Sequence, residues 1–201
     1  MISRNSYGIS LYSSDANNVS HNSVNDNFRT GVELMTQSKY NLISDNELIS
    51  NANYGIDIRG NNNTIVGNII KSDIWALGIR LTGCDYNNMS GNSISFNNGG
   101  ILVYWGAMNV ITKNNISNNH DVGIYLEKCN FTIISENVIL GNYRCFREEE
   151  CIGTVYENNE DDCGDKAQIS SYNPFLLIIV LIGVYIAINI KLRKFKFKYL
   201  D

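Results

Sequence analysis

Glu33, Asp57, Arg59 and Arg80 are the charged residues whose spacing could let them act together, and Tyr104, Trp105, Tyr125 and Glu127 follow at matching intervals. Glu33, Asp57, Arg80, Leu102 and Tyr125 stand 24, 23, 22 and 23 residues apart. Arg59, Thr82, Tyr104 and Glu127 run two places behind Asp57, Arg80, Leu102 and Tyr125. If residues one step apart are neighbours in space, these side chains share one face. Aromatic rings beside charged groups suit the apolar face and the hydroxyls of a sugar. The competing explanation is a cross-strand ladder of ion pairs, worth ~0.2–1 kcal/mol per pair, with scattered surface aromatics.

The face exists only if the chain repeats, and it does. Glycines fall at 8, 31, 55, 78, 100 and 123, in steps of 23, 24, 23, 22 and 23 residues. Asn22, Asn46, Asn68, Asn92, Asn114 and Asn137 keep pace, as do Asn27, Asn51, Asp73, Asn97, Asn119 and Asn142. A third polar column, Asn17, Asn41, Asn63, Asn87 and Asn109, breaks at Thr132. A period in this range means a solenoid, in which each unit buries its apolar face only against its neighbours.

A leucine-rich repeat requires a leucine five places before its Asn, where this chain mostly has Asn. No segment within a repeat carries helical spacing long enough for a helix. Apolar pairs two apart, such as Ile56/Ile58 and Ile79/Leu81, mark strands with one face inward. The expectation is three short strands per coil, stacked in parallel about 4.8 Å apart. Four inward columns of Ile, Val, Leu and Met would form the core. Glycine is expected at bends that need positive φ. Asn suits bends too, and its stacked amides can hydrogen-bond along a column.

The pattern of Gly-Ile-x-Leu, then Asn-x-Ile and a second Asn, resembles the repeats of NosD-like and pectate-lyase-like proteins over roughly residues 2–142. The resemblance implies an all-β, right-handed parallel β-helix of six to seven coils. It is specific for the fold and weak for activity, since lyases, hydrolases, epimerases and non-catalytic proteins share it. Related lyases and hydrolases use several carboxylates, often calcium-bound. No repeated carboxylate cluster of that kind occurs here, so no catalytic residue is assigned. The NosD-like resemblance also carries a copper association. Copper sites gather His, Met or Cys. His21 and His120 belong to distant coils, and Met35, Met89 and Met108 share no His-rich neighbourhood. No metal ligand and no cofactor is assigned.

Ile2 aligns with Val24 and Asn5 with Asn27, so the chain begins in mid-coil, and upstream coils and a signal segment are expected. Residues 143–165 hold Cys145, Cys151, Cys163 and a run of acids, and Cys151–Asn159 still aligns with Cys129–Asn137. This is expected to be a degenerate, polar capping coil. Cys129 and Cys151 share a column of adjacent coils and are expected to form an outward-facing disulfide, with Cys145 and Cys163 as a second pair and Cys84 free. Asn-x-Ser/Thr triplets begin at Asn18, Asn62, Asn88, Asn115 and Asn130, as an Asn- and Ser-rich repeat produces by composition.

After a linker at 166–173, residues 174–192 contain an apolar run long enough for a transmembrane helix, with Lys191 reaching to the interface. The basic residues of 193–201 place that tail in the cytoplasm and the β-helix outside. Residues 1–173 carry 11 basic and 19 acidic residues, and that acidic balance argues against nucleic acid as a partner. The expected partners are the membrane and either a surface polysaccharide or another surface protein. The function expected is a membrane-anchored extracellular interaction module, glycan-binding in its sharper form. The alternatives are a polysaccharide lyase, hydrolase or epimerase, or a copper-related maturation factor.

Overall fold

The computed structural model describes residues 1–72 and 75–164 of the 201-residue chain. Asp73, the linker at 166–173, the apolar segment 174–192 and the tail 193–201 lie outside the described residues. Among the described residues no helix is long and apolar enough to cross a membrane.

The chain winds through seven coils of a parallel β-solenoid with three strands each, which build two seven-stranded sheets and a six-stranded third. The front sheet holds Tyr7–Leu11, Thr30–Leu34, Tyr54–Ile58, Leu77–Thr82, Gly99–Tyr104, Val122–Glu127 and Arg144–Glu149 in sequence order, every neighbouring pair parallel. The second sheet runs from Asn18–Ser20 to Val155–Glu157 and the third from Glu47–Ile49 to Glu160–Asp162. A bridge between Ser23 and Glu47 joins the third sheet to the pair Ile2–Ser3 and Val24–Asn25. Ile2 pairs with Val24, and Asn5 N–H donates to Asn27 Oδ1.

Because strand side chains alternate between faces, four inward columns form the core. They are represented in the fourth coil by Ile79, Leu81, Met89 and Ile94, all fully buried. Burial of each such side chain contributes about 1.5–3 kcal/mol. The seventh coil changes these columns: Glu148 pairs with Leu126 and Asp161 with Ile139. Glu148 accepts hydrogen bonds from Thr154 Oγ1 at 3.0 Å and Tyr156 OH at 2.7 Å. That last coil is therefore a complete turn with a polar floor.

Up to four bends per coil place a residue in the left-handed region. Three series are Ala16–Tyr40–Asn62–Tyr86–Met108–Phe131, His21–Asp45–Lys113–Glu136–Asn158 and Arg4–Asp26–Ser50–Phe96–Asn118, with glycine completing the second at 67 and 91. The residue that follows these bends is an Asn, with Thr132 after Phe131 as the exception, and from the second to the sixth coil it is buried. In the Asn17 column, the backbone N–H and Nδ2 of Asn17, Asn41, Asn63 and Asn87 both donate to Oδ1 of the Asn one coil later, at 2.8–3.3 Å. The other Nδ2 hydrogen goes back to a backbone carbonyl, as from Asn92 to Ile65 O at 3.0 Å. Most polar groups of these bends are thus satisfied without water, as burial requires, with Thr132 Oγ1 an exception.

Two expectations are corrected here. The repeat glycines are not the positive-φ residues. At Gly31, Gly55 and Gly78 a Cβ would come within 3.0 Å of the next glycine's carbonyl oxygen, so they are glycine because adjacent coils meet there. The second correction concerns cysteine. Cys145 and Cys163 are bonded, with Cα atoms 5.5 Å apart, but Cys129 and Cys151 are free thiols and do not face outward. Cys129 is fully buried.

The reason is a fourth ladder. After the first bend of each coil the inward residue is Ser14, Ser38, Gly60, Cys84, Gly106, Cys129 or Cys151. Ser14 N–H donates to Ser38 Oγ at 3.3 Å, and Cys129 N–H donates to Cys151 Sγ at 3.2 Å. Ser38 Oγ, Cys84 Sγ and Cys129 Sγ donate back to Leu11, Ile58 and Val103 carbonyls. The thiols therefore do what Asn does in the other columns. Burial pushes the Cys84 thiol up to about 12.

Candidate functional site

The front sheet brings the expected residues onto one outer face, in two groups. Its register sets Ser10 beside Glu33, Glu33 beside Asp57, Asp57 beside Arg80, Arg80 beside Leu102, and Leu102 beside Tyr125. Thr82, Tyr104 and Glu127 form the adjacent outer column.

The first group is self-contained. Asp57 lies on the outer face yet is only 2% exposed. Arg80 grips it through both arms of the fork, Nε to Oδ1 at 2.8 Å and NH2 to Oδ2 at 2.7 Å, and Arg59 adds a 3.3 Å contact. The third arm of Arg80 donates to Tyr54 OH at 2.6 Å, and its guanidinium carbon stands 3.9 Å from the centre of that ring. Burial alone would lower the Arg80 pKa, but the hydrogen bonds and charge of Asp57 outweigh it and hold the guanidinium above its ordinary value. Glu33 does not join this pair; it accepts from Ser10 Oγ at 2.6 Å. Both carboxylates already have partners, and Arg80 spends its donors inside the protein.

The second group is different. Tyr104 lies 5.9 Å from Trp105 and 5.8 Å from Tyr125, ring centre to ring centre. Tyr125 packs with Leu102 and Val122 in an apolar cluster outside the main core, with Leu77 and Tyr104 at its margin. Trp105 follows the strand Gly99–Tyr104 at a left-handed bend, φ 50°, and is 58% exposed. Lys128 reaches over it, 5.8 Å from the ring centre. Tyr125 OH lies 2.9 Å from Glu127 Oε2 and 3.1 Å from Glu149 Oε2. Burial and these carboxylates push the Tyr125 hydroxyl well above its usual range. Arg147 completes this end, stacked 4.6 Å over Tyr125 and bonded through Nε to Glu149 Oε1 at 2.8 Å.

Sequence reasoning missed Tyr54, Arg147 and Glu149. Arg147 and Glu149 continue the two expected columns by one coil, so the period held their signal. Tyr54 belongs to the column just before the glycines, which is outward-facing because the glycine corner interrupts the alternation.

His21 and His120 fall in the first and fifth coils. Among the described residues no group of three or more His, Cys, Asp or Glu side chains is arranged to hold a metal ion.

Comparison with known proteins bears on the whole solenoid. A family model described as a right handed beta helix region matches residues 1–74 and 41–171. The chain belongs to the right-handed β-helix family. Within it, the hand of the coil follows, and the front sheet is one flank of a right-handed β-helix. A comparison with curated proteins finds no match.

Proposed function

We propose that this right-handed β-helix is a non-catalytic, membrane-anchored extracellular module whose front sheet binds a carbohydrate polymer along the stack. The observation that carries the reading is the strip Tyr104–Trp105–Tyr125, in which Trp105 is exposed, Tyr104 is half-buried and Tyr125 is buried against Tyr104, with charged groups beside them. Aromatic side chains offer large apolar contact with a polar handle, at low cost in side-chain freedom. The spacing of coils by one strand separation gives such a strip the repeat of an extended ligand. The β-helix family contributes the scaffold and no activity of its own. The NosD-like repeat supports a surface role.

A lyase or hydrolase reading finds less support, because Asp57 is held by two arginines and Glu33 by Ser10. A carboxylate whose oxygens are already engaged by other side chains is poorly placed to reach a substrate's proton. Anchoring rests on the apolar run within 174–192 and the basic residues after it.

Two measurements test the reading. Protease added outside intact cells should remove the β-helix and spare the tail, and a chain that stays soluble without detergent would contradict the anchor. On a polysaccharide array the parent should bind at least one polymer, with Tyr104→Ala and Trp105→Ala losing most of that binding. A parent that binds nothing would leave a surface module without a glycan ligand.

A further inference from the structure

The Asn-x-Ser/Thr triplets arise from composition, but composition does not decide where they lie in the fold. Asn18–Ser20 and Asn88–Ser90 are whole strands of the second sheet, and Asn115–Ser117 is a strand of the third. In each, the middle residue, Val19, Met89 or Ile116, is buried in the core, and the Asn is exposed. Alternation then puts the Asn amide and the Ser hydroxyl on the same outer face, two residues apart.

The remaining two triplets differ. Asn62 is half-buried at a left-handed bend, and Thr132, which completes the Asn130 triplet, is fully buried. None of the five begins on a front-sheet strand. A further contrast concerns the amide nitrogen itself. In the ladders Nδ2 is engaged, as at Asn92, which donates to Ile65 O and to Asn114 Oδ1. Asn18, Asn88 and Asn115 project away from the ladders, so a substituent on Nδ2 would displace no buried contact.

We infer that Asn18, Asn88 and Asn115 are N-glycosylation sites, and that their glycans clothe the second and third sheets while leaving the front sheet bare for its ligand. The inference rests on the extracellular reading above, because it requires exposure to a polyprenyl-diphosphate-linked oligosaccharide as co-reactant. In the transfer, Asn Nδ2 forms a bond to the anomeric carbon and loses one proton. The bond from that carbon to the diphosphate oxygen breaks, and the polyprenyl diphosphate leaves with the electron pair. The hydroxyl of an Asn-x-Ser/Thr acceptor is part of what such transfer requires.

The test uses the full chain in the membrane fraction of a host that N-glycosylates exported proteins. Glycopeptide mapping and digestion by external protease are run on the same preparation. The expected result is a glycan at each of Asn18, Asn88 and Asn115, lost one at a time in Ser20→Ala, Ser90→Ala and Ser117→Ala, with the β-helix open to the protease. A β-helix digested from outside but bare at all three positions overturns this inference and leaves the extracellular reading standing. A bare chain that is protected from external protease overturns both. Ser→Ala changes on the outer face leave the stack folded, so the loss of a glycan reports on the acceptor alone.

Discussion

The buried Asn ladders and the front face are both columns of polar residues, one residue per coil, and they solve the same stacking problem in different ways. In the ladders each residue meets a copy of itself. Asn92 gives to Asn114 and receives from Asn68, and its polar atoms are satisfied by identical neighbours. On the front face neighbours are unlike. Ser10 meets Glu33, Asp57 meets Arg80, and the column then turns apolar and aromatic at Leu102 and Tyr125. The first half of the face closes on itself, and the second half ends at Trp105, exposed on a left-handed backbone. A bulky residue there forgoes the ease that glycine or asparagine would have. Identical polar neighbours hold the stack together. Unlike neighbours that stop short of satisfying one another are where a ligand would be engaged.

The comparison breaks first if the ladders are dispensable. Asn92→Ala removes two donations and two acceptances in a dry column and strands the partners on both sides. With about 1–3 kcal/mol for each buried group left unpaired, the expected loss is about 4 kcal/mol, read from urea unfolding. A loss under about 1 kcal/mol would show that water replaces the ladder.

Arg80→Ala tests the self-contained half. On sequence grounds Arg80 reads as a surface ligand residue whose loss barely affects folding. The structure makes it the main partner of a nearly buried carboxylate. Removing one member of such a pair costs about 3 kcal/mol, and the melting temperature should fall accordingly. A variant as stable as the parent would return Arg80 to the solvent-facing residues.

Thr132→Asn sharpens the same contrast with the opposite sign. Thr132 occupies an Asn column, and its Oγ1 is buried without a hydrogen-bond partner. Asn there would accept from Asn109 and donate to a backbone carbonyl, as Asn109 does to Cys84 O. A gain of about 1 kcal/mol is expected. A destabilised variant would mean that the sixth coil cannot admit the larger amide.

The inward columns, the three sheets and the placement of the eight candidate side chains were all legible, because a period of one coil converts sequence spacing directly into neighbours. What escaped was chemistry that the period does not encode. The fourth ladder alternates among Ser, Gly and Cys, three residues alike only in fitting a tight bend and offering a small acceptor or none. Read as cysteines, Cys129 and Cys151 suggest a bond; read as members of that column, they are capping groups. The glycines gave the right positions and the wrong cause, since close approach and positive φ favour the same residue. At the seventh coil Cys145 takes the glycine's place and bonds to Cys163. The second apolar cluster was missed because Leu77 and Val122 precede the glycine corner, where strict alternation fails.

The most direct test of the account measures stability and polymer binding together on Trp105→Ala and Arg80→Ala. Trp105 is exposed and makes no part of the core, so its loss should change stability by no more than about 0.5 kcal/mol, while binding of the polymer recognised by the parent falls at least tenfold. Arg80→Ala should do the reverse at a temperature where it is still folded, losing stability and keeping binding within about threefold. The opposite pattern, with Trp105→Ala binding as the parent does and Arg80→Ala failing to bind while fully stable, would contradict the account and make the charged half of the front sheet the recognition surface.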